Sequence, residues 1–429
     1  MAALPHFAFP GAPNATPDMA DYTLVLFDDA AAQRWEPFAL TRPAGELLFG
    51  TMRLRERAER VLGARCAAHL AADHLVGFEE EGTPPVRGFG DAPADGARLF
   101  LSSRAVPAWG AGDALGSVSG GAARITIAGE TVGWLVPAGD NGPSNDALLN
   151  PADADASGAA VELPGRVLRR VWELMLDTPE QITEDVAALF PSPAPADLPH
   201  GVHRLGEHPV ILGEGAGIEP GVVLDTSAGP IWLDEGAKVR AFTRLAGPVY
   251  VGRGSTVLGG PLEACAIGPV CRIRGEFAES VALGYVNKAH DGHIGHAYLG
   301  AWVNLGAETT NSDLKNNYGT VRLWTPDGEA DTGSIKMGCF LGDHVKTGIG
   351  LLLNTGTVIG AGSNLYGAAM PPRYVPPFSW GTGEELTAYR ADKFLEVAER
   401  AMGRRKVAMS AGMREQLGRA WTRARPGAG

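Results

Sequence analysis

Cysteine is scarce in this chain. Its four thiols (Cys66, Cys265, Cys271, Cys339) form no CxxC pair and no dense framework among 429 residues. That excludes a disulfide scaffold and predicts a reduced, cytoplasmic thiol set. No apolar run approaches the ~18 residues that cross a bilayer, so no membrane anchor is expected. The first twenty residues contain neither Lys nor Arg, where a secretory signal would carry a basic start. Positive charge is short overall: 37 Lys and Arg face 49 Asp and Glu, for a net charge of −12. That balance argues against a general nucleic-acid binder. The deficit is uneven, because eight basic residues stand against one acid from Arg400 to the end.

What the chain does have is a beat of six. Leu233, Val239, Leu245, Val251 and Val257 step by six without a miss. Leu212, Ile218 and Leu224 precede them, Ile267 and Ile273 follow, and Ile359 and Leu365 resume the step later. Small or β-branched residues recur four positions after most beats, among them Ala237, Thr243, Ser255 and Cys271. Six is the period of neither a helix nor a simple strand. It is the hexapeptide repeat of a parallel β-helix, in which each unit forms one flat side of a triangular coil. The 58 glycines and 31 prolines are then corners and loops.

Three regions flank or interrupt this solenoid. Residues 1–20 read as a loose tail rich in Pro, Ala and Gly. Over 21–190, strands such as Tyr22–Phe27 mix with helical spacing at Leu47–Leu62, Pro164–Leu176 and Pro179–Phe190, which predicts an α/β domain. PSPAPADLP (191–199) is a stiff linker within 191–204. The solenoid domain runs over 205–383, and its beat lapses between Arg274 and Gly338. A helical tail, broken near Gly403 and Gly412, covers 384–429. Insertions in repeat proteins gather on one face, often the working one.

The lapse holds the densest polar cluster, from Asn287 to Gly319. Three of the chain's ten histidines, His290, His293 and His296, fall within seven residues there. A neutral His takes a proton near working pH. Histidines six apart also suit hydrogen bonding between coils, or three nitrogens around a zinc ion.

GHAYLG (295–300), NLGAE (304–308) and NNYG (316–319) resemble the acetyltransferase half of the bifunctional N-acetylglucosamine-1-phosphate uridyltransferase/glucosamine-1-phosphate acetyltransferase family. The chain is more similar still to a divergent branch, sugar nucleotidyltransferases fused to such a solenoid. That branch carries LFDD…LTRP…G, matched here by Leu26–Asp29, Leu40–Pro43 and Gly50. It also carries the long NKxHDG…NSDLKNNY stretch, then GDHxKTGI and FSWG, matched at 342–349 and 378–381. The resemblance implies a left-handed β-helix acyltransferase behind a nucleotidyltransferase-like α/β domain, working as a homotrimer.

It further implies acetyl-CoA as cosubstrate, and a sugar phosphate and a nucleoside triphosphate as substrates. By position, His296 matches the catalytic base. It stands one residue closer to Tyr298 than the family has it, and the stretch from Tyr298 to NLGA is about one repeat unit shorter. His290, beside Asp291, therefore stays an alternative base. Tyr298, Asn304, Asn317 and Tyr318 match substrate-holding residues, and Ala307 matches the backbone that approaches the acetyl thioester. Lys288, Lys315 and Lys346 are candidates for the sugar phosphate. In the N-terminal domain the usual Gly-rich loop is absent. In its place Asp28 and Asp29 are candidate Mg²⁺ ligands, and Arg42 and Arg104 candidate nucleotide contacts; Arg42 could instead pair with Glu46. The expected function is N-acetylation of glucosamine-1-phosphate followed by uridylyl transfer from UTP. A solenoid acting alone beside an inactive nucleotide-sugar-binding domain, or a non-catalytic scaffold, are the competing readings.

Overall fold

The computed structural model describes residues 22–115 and 121–425; the expected tail over 1–20 lies outside them. The N-terminal half is built on a seven-stranded mixed sheet. Its centre is β1 (Tyr22–Phe27), whose continuous apolar run YTLVLF suits a strand covered on both faces. Parallel strands β2 (Cys66–Leu70) and β3 (Val86–Arg87) extend it on one side. On the other side β4 (Ala97–Ser102) pairs parallel with β1. Beyond it lie the antiparallel β6 (Glu130–Val136), then β5 (Ala123–Ile127) and β7 (Ala160–Glu162). The order is β7-β5-β6-β4-β1-β2-β3. The chain leaves β1 toward β2 and returns to β4 on the opposite flank. Strand order thus reverses at β1, and the carboxyl ends of β1 and β4 frame the crevice where open α/β sheets hold ligands.

Two helical expectations need correction. Leu47–Leu62 is helical only over Leu54–Leu62 (α1), because Leu48–Phe49 and Met52–Arg53 first form a tight hairpin. Glu56 caps the Arg53 backbone and Gly63, at φ 63°, ends the helix in the left-handed region. Pro164–Leu176 is not one helix. Gly165–Val167 pairs with Ala105–Pro107, and only Glu173–Leu176 is helical. Thr178–Leu189 (α2) is the helix expected there.

From His203–Leu205 to Ser379–Gly381 the chain winds as a parallel β-helix. The beat residues stack coil on coil. Val239 pairs with Val257 and Val257 with Ile273; Leu233 pairs with Val251 and Val251 with Ile267. All six are buried to 1% exposure or less, and Ser255 and Cys271 lie in the same interior. Narrow prisms of this kind tolerate no change of volume, which is why small residues hold those slots.

The lapse after Arg274 is mostly a change of phase. Lys288 still stacks on Ile273, Leu299 on Ala282 and Ile294 on Phe277. Shorter coils move the beat off six while Val286, Ile294, Val303 and Leu305 keep facing in. Only residues 312–337 leave the ladder. They form an excursion with a hairpin of Arg322–Thr325 and Gly328–Asp331.

The halves share one apolar core. Phe38, Leu48 and Phe49 pack with Tyr298 and Phe340 of the solenoid, and Val321 and Leu323 of the excursion join them. Phe190, at the end of α2, meets Trp232 edge-on with ring centroids 5.2 Å apart. After the last coil, Ala391–Gly403 (α3) and Ala411–Ala424 (α4) fold back over the solenoid and the N-terminal half. Gln416 donates to the Thr41 carbonyl.

Candidate functional site

The polar residues of the solenoid separate onto two edges. The first centres on His296, which follows Ile294–Gly295 at a coil corner with φ 48°. It stacks on Glu279 of the preceding coil, also left-handed at φ 45°. The imidazole is clamped: Nδ1 lies 2.8 Å from Asp313 Oδ2 and Nε2 2.8 Å from Glu279 Oε2. Burial pushes the imidazolium down. The hydrogen bonds to Asp313 and Glu279, with their charges, outweigh it and raise His296 to about 8. Asp313 opens the excursion that carries Lys315, Asn317 and Tyr318. Tyr318 is 70% exposed, and Lys315 Nζ donates to the Thr320 carbonyl within the same loop. His293 stands beside the clamp, its Nδ1 3.4 Å from Glu276. His290 is exposed, and its carbonyl accepts from Lys288.

The second edge is a ladder of polar side chains. Asn287, Asn304 and Lys346 pair in register along the solenoid axis. Asn287 Nδ2 donates to Asn304 Oδ1 at 2.9 Å. Lys346 Nζ donates to the carbonyls of Trp302 (2.7 Å) and His344 (3.3 Å), and burial pushes its ammonium down to about 7. Beside the ladder Tyr285 stacks on Trp302, ring centroids 4.0 Å apart. The C-terminal end of α3 leans over it and closes a cleft of about 390 Å³, in the size range of small-ligand sites. Sequence reasoning picked out Asn304 and Lys346 but placed them with His296. It missed Arg272, Tyr285, Asn287 and Trp302 in this wall. The basic bias after Arg400 was the one signal that could have found the cleft.

Other sequence candidates have other employment. Tyr298 is fully buried. Its hydroxyl accepts from Leu48 N–H (2.9 Å) and donates to Leu48 C=O (3.1 Å), so it bonds across the seam between the halves. Lys288 is buried with Nζ on the carbonyls of Arg274 and His290. The Ala307 carbonyl accepts from Gly350 N–H. Arg42 is buried between Asp343 of the solenoid (Nε–Oδ2 2.8 Å) and Glu80 (2.8 Å). It does not pair with Glu46, which is held by Arg53 and Arg55.

At the crevice of the N-terminal sheet, Asp28 and Asp29 follow β1, while Ser102 ends β4 and Ser103 and Arg104 follow it. Arg104 grips Asp29 through Nε and Nη2 (2.8 Å to Oδ2), and the same carboxylate accepts from Ser102 Oγ and Ala32 N–H. Asp28 accepts from Ala44 N–H through one oxygen, and burial raises its carboxyl to about 6. As folded, this pair offers no complete Mg²⁺ site of its own, although Asp28 Oδ1 is buried without a hydrogen-bond partner. Arg104 already neutralises Asp29, and among the described residues no cluster of three metal-capable groups is found.

Residues 24–191 match the family model described as sugar nucleotidyl transferase. A bifunctional sugar-1-phosphate nucleotidylyltransferase/acetyltransferase of Sulfurisphaera tokodaii is 31% identical over 100 residues, 23% of this chain and 25% of that protein. An uncharacterized acetyltransferase of Escherichia coli K12 is 29% identical over 148 residues, 34% of this chain and 55% of that protein. The chain thus spans a quarter of the first relative's length and about half of the second's. An Arabidopsis UDP-N-acetylglucosamine acyltransferase superposes over 48% of this chain and 78% of its own at 12% identity. Its TM-score of 0.28 is too low to bear on fold or function.

Proposed function

From a chain whose residues 24–191 match the sugar nucleotidyl transferase family, we propose an enzyme that acetylates an amino-sugar phosphate on its solenoid and nucleotidylates the product on its N-terminal domain. Glucosamine-1-phosphate, acetyl-CoA and UTP are the substrates to try first. The observation that carries the acetyl-transfer reading is the His296–Asp313 pair, set where the excursion leaves the coil.

Asp313 fixes the proton on Nδ1 and orients the ring. Glu279, 44% exposed at its side chain, swings aside and leaves Nε2 to the substrate amine. The amine attacks the thioester carbonyl, and the N–C bond forms as the C–S bond breaks. His296 Nε2 takes the amine proton and returns it to the departing thiolate. Asn317 and Tyr318 stand on the same excursion and line the approach. Asn304 and Lys346 lie on the other edge of the same chain, so their part in this chemistry requires a neighbouring copy, as in a homotrimer. At the sheet crevice, Arg104 holds Asp29 where the nucleotide would enter, and no step is routed through a metal.

The test is one assay on the purified chain with glucosamine-1-phosphate, acetyl-CoA, UTP and Mg²⁺, following free thiol and pyrophosphate separately. Thiol followed by pyrophosphate is expected. Thiol alone would confine activity to the solenoid. Absence of thiol release across a panel of amino-sugar phosphates would leave the solenoid a scaffold. His296→Gln should abolish thiol release; unchanged turnover would move the base elsewhere.

A further inference from the structure

The cleft under α3 is lined by five cations and no carboxylate, in a chain of net charge −12. Arg272 projects from the solenoid face, one register step from Asn287 on the ladder. Facing it from the end of α3 are Arg400, Arg404 and Arg405. Arg400 is paired with Glu396 of its own helix. Among the described residues, Arg272 and Arg404 have no ion-pair partner, and Arg405 reaches only the Asn287 amide, at 3.5 Å. Burial lowers the Arg405 guanidinium, and the charges of Arg272 and Arg404 push the same way.

Cations at a helix C-terminus are ordinary complements of its dipole. That accounts for the arginines of α3 and leaves Arg272 unexplained, since it comes from another element and repels them. Like charges brought together across a concave, partly dry wall destabilise the fold unless an anion joins them. Lys346 at the base, with no carboxylate near its Nζ, adds a fifth donor whose ammonium form an anion would favour. Guanidinium forks match phosphate oxygens in pairs. The remaining wall, made by Tyr285, Trp302 and Val303 with Val397 and Ala401 opposite, is apolar and aromatic. It suits an organic group attached to the anion.

We propose that this cleft binds a phosphate or diphosphate ester, its oxygens held by Arg272, Arg404 and Arg405 and its organic part laid along Tyr285. The binding does not depend on acetyl transfer, so its failure is separate from failure of the catalytic reading. Two sources share this chemistry, the diphosphate of coenzyme A and the phosphate of a sugar 1-phosphate.

Calorimetric titration of the full chain with inorganic pyrophosphate, coenzyme A and glucosamine-1-phosphate, each alone, tests it. Pyrophosphate should bind saturably and weaken with salt. The double variant R272Q/R404Q should weaken binding at least tenfold, while R244Q, an exposed arginine on a distant coil, should leave it unchanged. Both Arg272 and Arg404 are exposed, so the ligand-free double variant should stay folded and unfold at or above the wild-type temperature, as relief of the repulsion requires. Tighter binding of coenzyme A than of pyrophosphate assigns the cleft to the acyl donor, and tighter binding of the sugar phosphate assigns it to the acceptor. No saturable binding by any of the three, or equal affinity in R272Q/R404Q and wild type, overturns the proposal.

Discussion

Replacing Tyr298 by Phe removes a single oxygen from the seam between the halves. That oxygen serves both backbone groups of Leu48, accepting from its N–H and donating to its C=O. Tyr298 and Leu48 are buried to 3% exposure or less, and the Tyr298 ring lies 4.7 Å from that of Phe38. Water has no evident route to replace the hydroxyl there. A buried polar group stripped of its partner costs about 1–3 kcal/mol. Two such groups predict a loss of about 2–6 kcal/mol for Tyr298→Phe, with the ring contact preserved. The assay is urea unfolding followed by both far-ultraviolet circular dichroism and tryptophan fluorescence, with Tyr366→Phe, an exposed ring, as control. Because the seam joins two domains, the loss should show as an earlier transition or as two separated ones. Substrate KM should stay at the wild-type value. A variant as stable as wild type with a raised KM for the sugar phosphate would refute this reasoning and return Tyr298 to the ligand.

The other predictions concern charge, packing and reactivity. Acetyl transfer by a neutral His296 should climb as pH rises through about 8. The same raised value stabilises the fold fully below the ordinary His range and is lost as pH passes about 8; a pH-independent rate would remove His296 as base. Asp343→Asn leaves buried Arg42 with Glu80 as its remaining carboxylate and should cost about 1.5–3 kcal/mol, the loss of one charge-assisted contact. The double variant with Arg42→Met should recover part of this in a thermodynamic cycle, and strict additivity would contradict the pairing. Gly338→Ala sets a Cβ 1.9 Å from the Gly295 carbonyl oxygen, so destabilisation should exceed the ~1–3 kcal/mol of ordinary overpacking; a wild-type midpoint would show that the coils yield. All four thiols are buried, and burial raises Cys66, Cys271 and Cys339 to about 12. The native chain should therefore be inert to thiol reagents that label it in urea.

The hexapeptide beat determined the solenoid without help. A period of six is incompatible with helix, and each coil packs almost wholly against its sequence neighbours. Val239 and Val257, three repeats apart, therefore announce their stacking from the sequence alone. Local chemistry likewise marked β1 by its apolar run and the polar cluster around His296 by its departure from the beat. What the sequence could not decide was which face each polar side chain takes and what it meets from far away. His296 and Asn304 are eight residues apart, yet a coil corner lies between them and sends them to different edges. Arg42 and Asp343, or Tyr298 and Leu48, meet only because two domains dock. Each is a plausible ligand contact until the partner hundreds of positions away consumes its hydrogen bonds. Arg272 and Arg404 converge for the same reason, since the end of α3 folds back over the solenoid ladder. The sequence shows the two charges, and the tertiary fold makes them neighbours.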